Sequence, residues 1–221
     1  MEFLKSLFDF ILHINDHLDT LVLDYGTTIY AILFLIIFVE TGLVVMPFLP
    51  GDSLLFAAGA ICARPGSDLN ITILIALLFV AAVLGDNTNY MIGRFAGHKA
   101  VNLKIGKRSL VKQEYIDNTY LFFDKYGVKA IIMARFVPII RTFTPFVAGV
   151  GKMNYKKKFL PYDIAGGFLW ITSMSLAGYF LGSRPFFQEH FEAVVIGIIL
   201  LSLMPMVIAF LRHKFNSRKA G

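Results

Sequence analysis

Five long apolar segments, separated by short polar ones, dominate the chain and restrict what it can fold into. They cover residues 29–63, 71–95, 127–150, 159–181 and 193–211. A helix needs about 20 apolar residues to cross a bilayer. Hydrophobic residues make up 57% of the chain and charged residues only 16%, whereas soluble domains average about 45–50% and about 25%. We therefore predict an all-α, polytopic integral membrane protein.

The first and third segments are interrupted near their middle. Residues 47–52 read Pro-Phe-Leu-Pro-Gly-Asp, with Pro50 and Gly51 at the centre, and the third segment contains Pro138 and Pro145. The half-segments are too short to cross a bilayer alone. The pattern predicts two re-entrant helical hairpins, hairpin one (29–63) and hairpin two (127–150), whose non-helical backbone is shielded by protein or by a wet cavity.

The two hairpins also belong to an internal repeat. Residues 48–60 resemble residues 136–150, with Pro50 and Pro138 placed 88 positions apart. Downstream, residues 90–93 (Tyr-Met-Ile-Gly) resemble residues 179–182 (Tyr-Phe-Leu-Gly), 89 positions apart. Each repeat is thus predicted to be a broken hairpin followed by a full span, with repeat one at 29–97 and repeat two at 127–186. Coincidental spacing of prolines and glycines is the alternative.

Basic residues indicate how the repeats are oriented. Lys and Arg concentrate in residues 99–112, in residues 152–158 and in the tail 212–221, whereas residues 64–70 and 183–192 contain few. Because basic loops stay cytoplasmic, hairpin one is predicted to enter the membrane from outside and hairpin two from inside. This inverted repeat with broken helices is the architecture of many secondary transporters.

Five ionisable residues interrupt the apolar segments. They are Glu40 and Asp52 in hairpin one, Asp86 in the second segment, and Arg135 and Arg141 in hairpin two. Each such group costs about 2.5–3.5 kcal/mol at the centre of a membrane helix. We therefore expect these charges to be paired or to line water.

Two interpretations of these charges remain open. In the first, Glu40 and Asp52 neutralise Arg135 and Arg141 and only tie the hairpins together. In the second, the arginines bind an anion, since the planar guanidinium suits phosphate or carboxylate oxygens, and the two carboxylates carry protons. Pro138 breaks the helix between the arginines and lets both face one cavity. For Asp86, substrate binding and hydrogen bonding to a broken hairpin end are both open.

Two further helices are predicted to lie outside the spans. Residues 1–23 have apolar residues at helical spacing, which predicts an interfacial amphipathic helix. The cytoplasmic linker 98–126 repeats this pattern in residues 110–126, with Ser109 as N-cap and Gly127 as the stop. A last span at 193–211 and a basic tail at 212–221 complete a single transmembrane domain that begins at residue 24.

The sequence offers little chemistry for an enzyme or a metal protein. It contains one cysteine, and its five histidines have no metal-ligand spacing. Nucleophile motifs and phosphate-cradling glycine loops are also missing. We therefore expect no catalytic activity, no metal, no cofactor and no nucleic-acid partner.

Three motifs resemble those of the DedA family, also described as the VTT or SNARE-associated domain. They are Phe-Leu-Pro-Gly-Asp-Ser at 48–53, Gly-Asp-x-x-x-Tyr-x-x-Gly-Arg at 85–94, and the proline- and arginine-containing motif at 134–153. The resemblance implies inner-membrane proteins that return undecaprenyl phosphate, the carrier of cell-wall precursors, across the membrane. It also implies required acidic and arginine residues at Glu40, Asp52, Arg135 and Arg141, with a link to the proton motive force.

The resulting hypothesis is a bacterial lipid-phosphate translocase. Arg135 and Arg141 bind the lipid phosphate and Glu40 or Asp52 carries protons, while Asp86, Pro50, Gly51, Pro138 and Pro145 support the site. A proton-coupled solute or ion antiporter, a general phospholipid scramblase and an envelope-assembly scaffold are the rival functions. The expected partners are undecaprenyl phosphate or another anionic lipid and the bilayer itself, and the oligomeric state, including a homo-oligomer, is left open.

Overall fold

The fold is described from a computed structural model, which covers residues 26–43, 51–64, 67–102, 104–105, 108–109 and 113–184, with 194 and 197. Seven α-helices lie in this part of the chain: α1 (Ile29–Gly42), α2 (Gly51–Cys62), α3 (Ile71–Asn102), α4 (Gln113–Tyr126), α5 (Ala130–Ala134), α6 (Pro138–Val150) and α7 (Leu160–Gly182). Single 3-10 turns precede α1 (Gly26–Thr28) and α5 (Gly127–Lys129), and a π-helical turn (Tyr155–Phe159) precedes α7. The predicted helix 1–23, the last span, the basic tail and Pro50 lie outside the described residues.

The two uninterrupted spans that the structure describes are confirmed as long helices. Ile71–Gly97 and Tyr155–Gly182 are long and apolar enough to cross a membrane. Large apolar side chains on both are exposed, with Phe95 80% and Phe180 63% accessible. Exposed apolar surface of this extent is typical of helices that contact lipid.

Hairpin two is interrupted once, not twice. The chain leaves α5 at Arg135 and enters α6 with Pro138 in its first turn, where a missing backbone N–H costs nothing. The prediction that Pro145 also breaks the segment is wrong, because α6 continues through it. A proline removes only one hydrogen bond, and the packing of a membrane helix against its neighbours sustains the rest.

The linker after the second span departs from the predicted single helix. Helix α3 continues to Asn102, and two short antiparallel strands follow, β1 (Lys104–Ile105) and β2 (Arg108–Ser109). Ser109 pairs with Lys104 in this ladder, so the prediction of Ser109 as an N-cap is wrong. Helix α4 ends where predicted, because Gly127 adopts a positive φ of 58° that favours glycine.

The main apolar core is shared by α1, α2, α3 and α7, and the two most extensive helix crossings are those of α2 with α7 and of α3 with α6. In the first crossing a Cβ on Gly178 would collide with the carbonyl of Phe56. In the second, a Cβ on Gly93 would collide with the carbonyl of Phe146. Glycine at these positions lets the backbones meet, as in the small-residue crossings of membrane helices.

These crossings correct the register of the predicted repeat. Gly59 contacts the carbonyl of Ser175 in the first crossing, and Gly149 contacts that of Tyr90 in the second. Tyr90 is therefore equivalent to Ser175, 85 positions away, and its predicted equivalence to Tyr179 is wrong. Gly-x-x-x-Gly at 93–97 thus occupies in the second crossing the position that Gly-x-x-x-Gly at 178–182 occupies in the first. Helix packing determines this equivalence more directly than sequence similarity does.

Candidate functional site

Arg141 joins three helices through two carboxylates and an indole. In the first turn of α6, its Nη1 lies 2.7 Å from Oδ1 of Asp52 on α2, and its Nη2 lies 2.6 Å from Oε1 of Glu40 on α1. Trp170 of α7 donates from Nε1 to the same Asp52 oxygen at 2.7 Å. The guanidinium carbon lies 4.5 Å from the centroid of the Trp170 ring, in cation–π contact. We call these four residues the Arg141 cluster.

The facing ends of α1 and α2 bring two acids to one arginine. Glu40 lies at the end of α1 and Asp52 in the first turn of α2, beside the positive end of that helix. Gly51 allows this approach, because a Cβ at this position would collide with the Glu40 carboxylate. Pairing of Glu40 and Asp52 with the arginines of hairpin two is one of the two interpretations of the sequence, and the structure places both acids on Arg141.

Arg135 has its own pair of carboxylates. It lies just after α5, and its Nη2 is 2.5 Å from Oδ2 of Asp86 on α3 and 2.5 Å from Oδ1 of Asp163 on α7. All three side chains are buried, with 3% of Arg135 accessible. We call these residues the Arg135 cluster.

The two arginines therefore do not share their carboxylates, although Pro138 separates them as predicted. Asp86, one candidate for bonding a hairpin backbone, contacts the side chain of Arg135. The backbone role belongs to Asn89, whose Nδ2 donates to the carbonyls of Thr41 at 3.1 Å and Thr142 at 2.9 Å. Asn89 thus links the C-terminal end of α1 and the N-terminal part of α6 to α3.

Asp163 and Trp170 were missed by the sequence analysis. A signal was present, since Asp163 is an acidic residue inside an apolar segment and Trp170 is the only tryptophan in the chain. They are seven residues apart, which places them about two turns apart on one face of α7. One face of α7 therefore contacts both arginines.

Each cluster sets two carboxyl groups against one guanidinium in a buried environment. An uncompensated charge is costly there, so all members must be paired or neutralised. Either cluster can therefore accept one proton, or exchange a carboxylate for another anion, without separating charges. Within the described part of the chain, no three His, Cys, Asp or Glu side chains are grouped as metal ligands.

Comparison with known proteins now identifies the family. The VTT domain matches residues 49–180, which include Asp52, Asp86, both arginines, Asp163 and Trp170. The chain belongs to the DedA family. It is 49% identical over its full length to the whole of protein DedA of Escherichia coli K12.

More distant relatives extend over most of the chain. A membrane protein of Mycobacterium tuberculosis H37Rv, named as uncharacterized, is 43% identical over 85% of this chain and 81% of its own. The inner membrane protein YqjA of Escherichia coli K12 is 33% identical over 81% of this chain and 79% of its own. No solved structure matches. Together with the apolar helices, these relatives establish a membrane protein.

Proposed function

We propose that this protein is a proton-linked translocase that returns undecaprenyl phosphate across the bacterial inner membrane. Multi-pass insertion, with the two hairpins entering from opposite faces, is part of this proposal. Its support is the family membership, the inner-membrane name of one relative and the buried charges of the two clusters. The family relation favours a membrane-transport role over catalysis.

The observation that carries the proposal is that two carboxylates bind Arg141, one at each of its terminal nitrogens. Its two terminal nitrogens contact one oxygen each from Glu40 and Asp52, at 2.6 and 2.7 Å. Two oxygens of a phosphate would use the same two nitrogens. The carboxylates and a lipid phosphate thus compete for the same two nitrogens of Arg141.

Protonation decides this competition. A neutral carboxylic acid holds a guanidinium much less strongly than a carboxylate does. When Glu40 or Asp52 takes up a proton, Arg141 is released for the phosphate, and when the proton leaves, the carboxylate displaces the lipid. Proton and anionic lipid therefore bind together, which links lipid movement to the proton motive force. The isoprenoid tail remains in the surrounding lipid throughout.

The experiment uses purified protein in liposomes with labelled undecaprenyl phosphate. We expect translocation that increases with an imposed proton gradient, and lipid binding that strengthens as pH falls because protonation frees Arg141. Glu40→Gln and Asp52→Asn should both insert normally, and the variant that lacks the proton-carrying carboxylate should bind the lipid with little pH dependence and lose proton-driven transport. Normal proton-driven transport by both variants would mean that neither carboxylate carries the proton. Asp124→Asn, at an exposed position on α4, is the matched control.

Other outcomes identify the rival functions. Proton-coupled flux of a small solute without lipid movement indicates an antiporter. Movement of every lipid at the same rate, without response to the gradient, indicates a general scramblase. If the protein moves neither solute nor lipid, it is a scaffold whose charges only hold the hairpins together.

A further inference from the structure

Arg135 lies in a slot on the surface of α7. A Cβ on Gly166 would lie 3.1 Å from Cγ of Arg135, and one on Gly167 would lie 3.8 Å from its Nη2. Asp163, one turn before Gly166 and Gly167, contacts the tip of the same side chain. The two glycines and the carboxylate thus hold the whole length of Arg135 against α7.

The contacts of Arg135 leave hydrogen-bonding capacity unused. Both of its carboxylates contact the same nitrogen, Nη2. Among the described residues, Nη1 of Arg135 and Oδ2 of Asp163 have no hydrogen-bond partner, although both are buried. A buried donor without a partner is costly. Arg135 therefore retains a free donor that suits an anionic oxygen.

We propose that Asp163 is a positioning residue that holds Arg135 retracted on α7 and competes with the anionic head group for it. The inference rests on the proposed function and adds a residue to it. Asp163 is placed to do this because its carboxylate belongs to the same repeat as Arg135, whereas Asp86 comes from the other repeat. Release from Asp163 frees Arg135 from α7, and the head group then replaces the carboxylate.

The geometry of α7 connects this role to the Arg141 cluster. Asp163 holds Arg135, and two turns later Trp170 stacks on Arg141 and donates to Asp52. The same helix face therefore positions both arginines of hairpin two. A head group that draws both arginines toward itself loosens hairpin two from α7 at two points.

The first test measures how accessible Arg135 is without any lipid. Phenylglyoxal modifies unpaired arginines, and peptide mass spectrometry resolves modification of Arg135 from that of Arg141. In Asp163→Asn we expect Arg135 to react several-fold faster, with Arg141 unchanged because Glu40 and Asp52 still hold it. An unchanged Arg135 rate, or an equal increase at both arginines, would overturn the proposal.

Two further variants keep the proposal testable if Asp163→Asn does not fold. Gly166→Ala retains the charge of Asp163 but crowds the Arg135 stem and the Ile132 backbone, each at 3.1 Å, so it should push Arg135 away from α7 and also raise its reactivity. Gly167→Ala adds the same methyl group one residue later at ordinary contact distance, 3.8 Å, and should not. Equal reactivity of the two alanine variants would contradict a slot that holds Arg135.

The second test separates this inference from the proposed function. Trp170 is the only tryptophan, so its fluorescence reports lipid binding directly. We expect Asp163→Asn to bind undecaprenyl phosphate about tenfold more tightly than wild type, because a competing carboxylate is gone. A purely structural residue would not strengthen binding when removed, and an unchanged or weaker affinity counts against the proposal. If wild type binds no undecaprenyl phosphate while Arg135 still becomes reactive in Asp163→Asn, the proposed function fails and the positioning role stands.

Discussion

At the scale of single residues, the chemistry of the protein depends on how a guanidinium presents its nitrogens. Arg141 offers two of them in one plane, and each contacts a different carboxylate. A lysine ammonium carries the same charge at a single point and lacks this fork. The difference between arginine and lysine therefore separates recognition of two oxygens from simple charge balance.

Arg141→Lys should weaken binding of undecaprenyl phosphate about tenfold or more, for a loss of about 1.4 kcal/mol. The protein should stay folded, because lysine still neutralises the buried carboxylates. Lipid affinity and uptake are compared with wild type at matched expression, with the exposed Arg94→Lys as control. Wild-type affinity in Arg141→Lys would mean that Arg141 only balances Glu40 and Asp52.

At the scale of helices, the sequence predicted the lengths of the two long helices well, but it did not predict which acid contacts which arginine. The segments that became α3 and α7 were predicted because an apolar run of more than 20 residues has few alternatives. The break at Pro138 was predicted because a proline interrupts a helix through its own local geometry. Which acid meets which arginine depends on how helices cross, so local patterns did not place Asp86 and Asp163 on Arg135.

The role of Asp163 illustrates why the rest was missed. Asp163 lies outside the three motifs that resemble the family, near the start of an apolar segment. Its importance comes from the slot at Gly166 and Gly167, which exists only when α7 packs against Arg135. The register of the repeat was misjudged similarly, because matched tyrosines carry no information about which residues meet at the crossings.

The crossings themselves give a prediction about stability. Gly178→Ala places a methyl group against the carbonyl of Phe56, and Gly93→Ala places one against that of Phe146. Overpacking of this kind costs about 1–3 kcal/mol, so both variants should melt at lower temperature in detergent. Gly42→Ala is the control, because its methyl group would lie at an ordinary 3.4 Å from Gly85. Equal melting temperatures for all three variants would contradict the tight crossings.

At the scale of the whole molecule, each cluster joins one crossing to the other. Arg141 of α6 contacts Asp52 of α2 and Trp170 of α7, so it ties the pair α3–α6 to the pair α2–α7. Arg135 does the same through Asp86 of α3 and Asp163 of α7. Apolar contacts also join the two pairs, as between the rings of Phe79 on α3 and Phe168 on α7, but the ties that the two arginines make are ionic. Under the proposed function, a proton or an anionic lipid would act where the two pairs are joined, which suits an alternating-access motion between them.

This motion requires that the two repeats have opposite orientations, and the topology of repeat two tests one half of that requirement. Exposed Lys156, Lys157 and Lys158 precede α7, and basic residues of this kind stay cytoplasmic. The 23 residues of α7 extend about 35 Å at 1.5 Å each. This length is enough to cross a hydrocarbon core of about 30 Å, so Ser183 should lie outside.

In a Cys62→Ser background, Ser183→Cys should react with an impermeant maleimide in intact cells, and Ala220→Cys only after permeabilisation. The Cys62→Ser protein alone should remain unlabelled. Labelling of Ala220→Cys but not Ser183→Cys in intact cells would invert the proposed orientation, and labelling of both would mean that the chain does not cross between them.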